Sequence, residues 1–555
     1  MKTGKMIHSS VVWVGLLCVV VAVGCTPGLE GPGHEEPDAQ EPDHQGGDVD
    51  GSGGSNAAGE NAVDEPTNGG EEEEVDLCGR MASERRPALL FVIDGLRPDY
   101  VTEELMPNVY ALGQGGVWGE RSYAALPALT RVNAPTISTG SYPRRHGMVG
   151  NSLFIPEVSS EPFSNGSASN LRMLDDETGG QMITAVSIGE LLDEAGLEYF
   201  VTGSGGSGNS LLQNPRESGR GIWAANSNGF FVPASDRDEA ISLIGPIDSD
   251  TTERTKWAAQ SMIHNATERT PPDVTVMWIN ETDARGHEFG VGAPETLGAA
   301  THVDEHLGLV LEALDEAGLE FNIFLTSDHG FTTNAGGFSA ARVLRDAGLD
   351  DGVVVVSSSL YLNESAQQNL EAIVDAFRAD GTVGTIYTRP GPDGVMVPGT
   401  FSLELIGLDH ERGPDVHVMP AWSDDENEFG RAGVTRRGGS NVATHGIDSP
   451  YDLKIPFVAA GPDIKAGLRL TNPTGNVDFA PTLLYLQGLV VPEEMDGRVI
   501  CEIFEGGPDP ASVHVHAQTH ETTASLGGGV RYTAQLDTLQ VGKTFYIAGA
   551  RTVRQ

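Results

Sequence analysis

The sequence predicts an α/β fold: a doubly wound, mostly parallel sheet flanked by helices, with large loop or cap insertions. Three observations lead there. Short apolar runs at Ala88-Leu-Leu-Phe-Val-Ile93, Val274-Thr-Val-Met-Trp-Ile279 and Phe321-Asn-Ile-Phe-Leu-Thr326 read as strands buried on both faces. Residues 188–195 and 302–317 repeat apolar positions at helical spacing, and strands alternating with helices imply a parallel sheet wrapped on both sides. Each run is followed closely by a carboxylate, namely Asp94, Asp283 and Asp328. In such sheets the ligand crevice lies outside the carboxyl ends of the strands, so three carboxylates arrive at one edge. A single Asp after a strand is more often a turn or cap residue. The convergence is what points to function.

Upstream, residues 1–25 read as an export signal: Lys2 and Lys5 precede an apolar run from Val11 to Val23, and small residues precede Cys25. Ala22-Val23-Gly24-Cys25 resembles a bacterial lipobox, whose cysteine is acylated after cleavage. The expectation is an exported bacterial lipoprotein at the outer membrane, in the periplasm or on the cell surface, with a lipid anchor on Cys25. An ordinary signal peptide or a short membrane anchor is the alternative, but the run is shorter than the roughly 20 residues of a spanning helix.

Residues 26–84 are rich in Gly, Pro, Glu, Asp and Ser, and cannot bury enough apolar surface to offset the entropy of ordering them. They read as a disordered acidic tether, holding 17 of the acidic residues behind the net charge of -45. The remainder is acidic too, which argues against a stable nucleic-acid partner, since phosphate backbones are held chiefly by Lys and Arg. A catalytic domain is expected over 85–510, with insertions at about 150–270 and 335–440, followed by a C-terminal extension over 511–555. Cys18 leaves with the signal and Cys25 carries lipid, so Cys78 and Cys501 remain as an even pair in an oxidising compartment. A disulfide between them and two buried thiols are both open at this point.

Three segments add imidazoles to the carboxylates. Asp283-Ala-Arg-Gly-His287 places the two types four apart, Asp328-His329-Gly330 makes them adjacent, and Thr444-His445-Gly446 supplies another. A mixed Asp and His set suits zinc better than magnesium, which prefers oxygen and keeps its waters. A lone His-Gly pair is usually a turn; that reading loses when the pieces follow strands of one sheet.

These stretches resemble the alkaline phosphatase superfamily, and within it the type I phosphodiesterase and nucleotide pyrophosphatase group. The matching residues are Ile93-Asp-Gly-Leu-Arg-Pro-Asp-Tyr100, Thr130 to Gly140 followed by Ser-Tyr-Pro-Arg-Arg-His-Gly147, Asp283 to His287, Ser327-Asp-His-Gly330, Thr444-His-Gly446 and Met495-Asp-Gly-Arg498. The resemblance implies two divalent metal ions, with zinc the expected identity. Asp283, His287 and His445 would hold one; Asp94, Asp328 and His329, with the Thr130 oxygen, would hold the other. It also implies that Thr130 is the nucleophile and forms a phosphothreonine, in agreement with the need of a weak hydroxyl nucleophile for metal activation. The expected substrate is a small phosphate ester, a phosphodiester or nucleotide pyrophosphate.

Asn133 lies three residues past Thr130, on the same face if a helix starts there, and is expected to donate to a phosphate oxygen; an N-cap role is the alternative. Arg131 stands where diesterases of the group often have an aromatic residue, which makes it a substrate-binding candidate and keeps open a phosphomonoesterase or phosphonate hydrolase. A non-catalytic binding lipoprotein is a further alternative, although it would have no chemical need for the whole ligand set. Ser141-Tyr-Pro-Arg-Arg145 satisfies a sulfatase signature, but the residue ten before Gly140 is Thr130, with Val132 and Ala134 where that signature needs Pro and Arg. Gly203-Ser-Gly-Gly-Ser-Gly-Asn-Ser210 lacks the following Gly-Lys-Ser/Thr of a P-loop, and reads as a loop near the site rim.

Overall fold

A computed structural model describes Cys78 and residues 85–555 apart from 220–223 and 392–393. The export signal, Cys25 and residues 26–84 other than Cys78 lie outside the described residues. Ten strands form the main sheet: β1 (Ala88–Ile93), β2 (Val117–Tyr123), β3 (Tyr199–Gly203), β4 (Ala224–Asn226), β5 (Phe231–Val232), β6 (Val274–Ile279), β7 (Asn322–Thr326), β8 (Lys454–Ala460), β9 (Leu468–Leu470) and β10 (Thr474–Gly475). Their order is β9-β2-β8-β7-β1-β6-β3-β4-β5, with β10 also pairing β2. The centre, β7-β1-β6-β3-β4, is parallel throughout, while β8 and the short β5 pair antiparallel to their neighbours.

The strands read as doubly buried are so, and by alternation. Leu90 and Val92 of β1 face one hydrophobic cluster with Val274, Val276 and Trp278 of β6, while Leu89, Phe91 and Ile93 face another with Met277 and Ile279. Burying each such side chain contributes about 1.5–3 kcal/mol, which is why both faces need helical cover. Helices Thr251–Thr267 and Pro294–Glu316 supply Ala258, Met262, Val303 and Leu307 to the second face; Thr130–Thr139 and Phe479–Leu486 supply Val132, Ile137, Leu483 and Leu484 to the first.

Residues 150–270 contribute β3, β4 and β5 to the main sheet, so this stretch is core as well as rim. Residues 335–440 build mostly their own layer. Val353–Val356, Ser359–Leu362, Val383–Thr388, Phe401–Ser402 and Val416–Pro420 form a five-stranded sheet packed on helices Ala340–Ala347 and Leu370–Ala379 around Leu344, Phe377 and Val418. The last residues form a three-stranded antiparallel sheet, His516–Gly527, Val530–Val541 and Thr544–Arg554, whose Tyr532 and Tyr546 are buried with the main core. Cys78 and Cys501 are joined by a disulfide.

Candidate metal centre and nucleophile

Register carries the acidic residues to one place. Ile93 of β1 pairs with Ile279 of β6, and Val92 with Thr326 of β7, so the three strands end level and their following residues share one edge. Asp94 leaves β1 directly; its backbone carbonyl accepts from the Thr282 hydroxyl. Asp283 sits in the first turn of helix Glu281–Phe289, and His287 follows on the same face one turn later. Asp328 and His329 follow β7, where a side chain at Gly330 would collide with the Tyr451 carbonyl at 2.1 Å. Thr130 opens its helix at the first position.

The six acidic and imidazole residues converge as the sequence motifs implied. Asp283 Oδ1 is 3.3 Å from His287 Nε2, 3.6 Å from His445 Nε2 and 4.0 Å from His329 Nε2. His329 Nε2 is 3.5 Å from Asp94 Oδ1, 3.3 Å from Asp328 Oδ2 and 3.3 Å from Thr130 Oγ1. Asp283, His329 and His445 form one group able to hold a metal ion; Asp94, Asp328 and His329 form a second. His329 belongs to both because its ring stacks on His445 at 3.4 Å, between the two carboxylate clusters.

Two features mark this as a cation site rather than a hydrogen-bonded network. Asp94 Oδ1, Asp283 Oδ1 and Asp328 Oδ2 are buried without a hydrogen-bond partner, although the opposite oxygens of Asp94 and Asp328 accept from Trp278 Nε1 at 2.9 Å and Gly95 N at 3.1 Å. Leaving such an oxygen buried and unpaired is costly, and a metal ion removes that cost. Each imidazole is also fixed through Nδ1, which faces a backbone carbonyl at 2.9 Å: Ala443 for His287, Gly330 for His329 and Ala128 for His445. A proton on Nδ1 leaves the Nε2 lone pairs turned inward, as metal ligation requires.

Electrostatics agree. Burial, followed by repulsion from Asp328 and Asp283, raises Asp94 well above the usual carboxylate range. Burial and then Asp283 push Asp328 up to about 7. For Asp283 burial acts upward, but His287 at 3.3 Å, and then His329 and Arg131, hold it low. Burial lowers His445 far below its usual value, with His329 and His287 adding repulsion. Three carboxylates crowded this closely need positive charge among them.

Asn133 is corrected. It lies in the Thr130 helix but is fully buried: its amide nitrogen donates to the carbonyls of Ala125 at 3.1 Å and Leu129 at 3.2 Å, and its oxygen accepts from Ala125 N at 2.8 Å and Asn476 Nδ2 at 3.0 Å. It has nothing left to offer a substrate and caps no helix. Asn476 also donates to the Asp328 carbonyl at 3.3 Å, so Asn133 ties the Thr130 helix to the end of β7. Asn151, which the sequence motifs do not single out, accepts through its side-chain oxygen from Arg131 N at 3.1 Å and is exposed beside the Thr130 end of the helix. It stands in an irregular loop with no periodic pattern around it; the only signal was the adjoining Gly150.

Burial lowers the Arg131 guanidinium from its ordinary value, with Asp94, Asp328 and Asp283 acting against that shift, and its Nε has no hydrogen-bond partner. A Cβ on Gly206 would sit 3.0 Å from Arg131 Nη2, which brings the glycine-rich loop to the site rim. Arg144 and Arg145 instead pair with Asp496 at 2.7 and 2.9 Å, away from any phosphate role.

The family model described as type I phosphodiesterase / nucleotide pyrophosphatase matches residues 88–423. Venom phosphodiesterase 2 of Crotalus adamanteus is 28% identical over 252 residues, 44% of this chain and 27% of that protein. Ectonucleotide pyrophosphatase/phosphodiesterase family member 3 of Rattus norvegicus is 26% identical over 249 residues, 44% of this chain and 25% of that protein. The chain thus matches about a quarter of the length of these curated relatives. Among solved structures, murine ectonucleotide pyrophosphatase / phosphodiesterase 5 is 17% identical with a TM-score of 0.55, covering 76% of this chain and 100% of its own. Wild-type alkaline phosphatase PafA is 16% identical with a TM-score of 0.59, covering 77% of this chain and 100% of its own. At these identities the structural likeness is one of fold.

Proposed function

The chain belongs to the type I phosphodiesterase / nucleotide pyrophosphatase family, and from that premise we propose that it hydrolyses phosphodiesters or nucleotide pyrophosphates through a phosphothreonine on Thr130. The observation that carries this is the set of three unpaired carboxylate oxygens and three inward Nε2 atoms beside the Thr130 hydroxyl. Asp283, His287 and His445 would hold one divalent ion, and Asp94, Asp328 and His329, with the Thr130 oxygen, would hold the other, His329 lying within reach of both groups. The mixed nitrogen and oxygen donors suit zinc. Such a pair of ions neutralises charge on the attacking and leaving oxygens of an in-line displacement.

Thr130 Oγ1 forms a bond to phosphorus, its proton passes to solvent, and the bond to the leaving oxygen breaks. Water then attacks the phosphothreonine, restoring the Thr130 hydroxyl and releasing a phosphate monoester. Asn151, its oxygen held by Arg131 N, directs its amide nitrogen at a non-bridging oxygen. A monoester carries one more charge than a diester, and efficient monoesterases meet it with extra cations. This chain has few Lys and Arg, which favours diesters; the position of Arg131 favours the second reading, a monoesterase. Matched p-nitrophenyl mono- and diesters decide, with higher kcat/KM expected on the diester, and with activity lost to a chelator and restored by zinc. A monoester preference that disappears in Arg131→Ala would establish the second reading.

The chain is further proposed to be exported and acylated on Cys25, supported by the lipobox-like Ala22-Val23-Gly24-Cys25. Cys25→Ser should then release or misprocess it, whereas an unmodified mature N-terminus located elsewhere in mass spectra contradicts the anchor.

A further inference from the structure

A cleft of about 110 Å³ opens between the nucleophile end of the main sheet and the five-stranded sheet of residues 335–440. One wall belongs to the site already described: Leu129 precedes Thr130, Gly446 follows His445, and Asn151 is held by Arg131 N. The other wall is the hairpin joining Val353–Val356 to Ser359–Leu362, in which Val356 pairs with Ser359, so that Ser357 and Ser358 form the tip. Beside it His417, opposite Ser359 in the next strand, shares a hydrogen bond with the Ser359 hydroxyl at 2.9 Å through Nδ1.

His417 Nε2 is buried and has no partner. The residue is 4% exposed, and burial together with the nearby Arg437 pushes its pKa down to about 3, so the ring is neutral. His417 belongs to the cleft wall, and its neutral ring nitrogen is short of one hydrogen bond. Arg437 is already used: it donates to the His445 carbonyl and lies 3.4 Å from the Ser357 hydroxyl. It reaches that carbonyl past Gly446, where a Cβ would stand 2.7 Å from its Nη1 and where φ is +104°.

The lining decides what fits. It contains no carboxylate and no Phe, Tyr or Trp, so it offers neither a cation site nor a stacking platform for a planar base. It offers hydroxyls on Ser357, Ser358 and Ser359, the His417 nitrogen and small apolar walls. With a volume of about 110 Å³ the cleft has room for a small group only. We propose that this cleft receives the ester group retained on phosphorus when that group is small and hydroxylated, glycerol-sized, with His417 Nε2 and the Ser357–Ser359 hydroxyls as its partners. The proposal rests on the phosphodiester reading and names the class of diester within it.

The test uses the zinc-loaded full chain and three p-nitrophenyl phosphate diesters, carrying methyl, propyl or glyceryl as the second ester group. The glyceryl ester should exceed the propyl ester in kcat/KM by about tenfold or more, the scale of about one net hydrogen bond. His417→Leu should bring the ratio near one, and His417→Gln, which keeps a polar end, should retain part of it. Both esters are assayed on the same preparation, so loss of folded protein lowers both rates and leaves their ratio unmoved. A ratio near one in the wild type while the methyl ester is turned over, or a ratio unchanged by His417→Leu, overturns the cleft assignment alone. No turnover of any of the three overturns the phosphodiester reading and the cleft with it.

Discussion

Two sets of buried carboxylates lie in this molecule, and they are built differently. Asp448, Asp452 and Asp478 are as inaccessible as Asp94 and Asp328, and burial raises them too, to about 6, about 7 and about 6. Yet each is saturated from within. Asp448 accepts from Thr385 and from the Tyr387 hydroxyl at 2.8 Å; Asp478 accepts from Gly475 N, Arg498 N and the Tyr546 hydroxyl at 2.9, 3.0 and 2.8 Å; Asp452 accepts from the Ser449 hydroxyl. Asp94, Asp283 and Asp328 each keep one oxygen without a partner, and all three carboxylates approach His329 Nε2 within 4.0 Å. A raised pKa therefore does not separate a structural carboxylate from a ligand here. An unpaired oxygen does.

The largest effect expected on the reactive side of that comparison is from Thr130→Ala: turnover should fall at least about a thousandfold while bound metal, measured by elemental analysis, stays near the wild-type level. Next, under the proposed two-metal reading His287→Ala or His445→Ala should weaken metal retention by about 100-fold or more in competition with a chelator. Asn151→Ala should lower kcat/KM by about 10- to 100-fold with an unchanged melting temperature, as loss of a donor to developing charge does.

Asn133→Ala should behave in the opposite way. It strands the hydrogen-bond partners of a buried amide, so chemical denaturation should show a loss of about 2–3 kcal/mol, with activity per folded molecule less affected than in Asn151→Ala. A larger loss of kcat/KM than of stability would return Asn133 to the substrate side. The smallest effect is on the saturated set. Asp448 rises from the ordinary 3.8 to about 6 in the folded protein, so the stability its protonated form contributes is present below about pH 4 and lost as pH rises through about 6. Asp448→Asn removes that dependence, and relative to the wild type it should gain about 2 kcal/mol between pH 4 and pH 8. An equal offset at both pH values would show that Asp448 ionises freely.

The sheet and most of the metal centre are legible in the sequence because one feature encodes both. A strand covered on both faces must be apolar throughout, as in Ala88–Ile93 and Val274–Ile279, so the first carboxylate after it stands out and marks the strand's carboxyl end. His287, His329 and His445 follow from short local motifs on those same ends. Asn133 was misread because spacing from Thr130 gives a face of the helix but not what packs on it, and Asn476, 343 residues away, takes the amide oxygen. Strands β4 and β5 have three and two residues, too few to show a period. His417 is hidden for a similar reason: in Val416–Pro420 it is an ordinary alternating position, and only the hairpin opposite makes its nitrogen a group without a partner.

The most direct test of a nucleophile inside a two-metal carboxylate and imidazole cluster is rapid quenching of the zinc-loaded protein during turnover of a p-nitrophenyl diester, followed by mass spectrometry of the peptide containing Thr130. A phosphoester mass on Thr130, appearing with the burst of p-nitrophenol and absent from the chelated protein, is expected. Turnover with Thr130 unmodified at every quench time, or undiminished in Thr130→Ala, would contradict it.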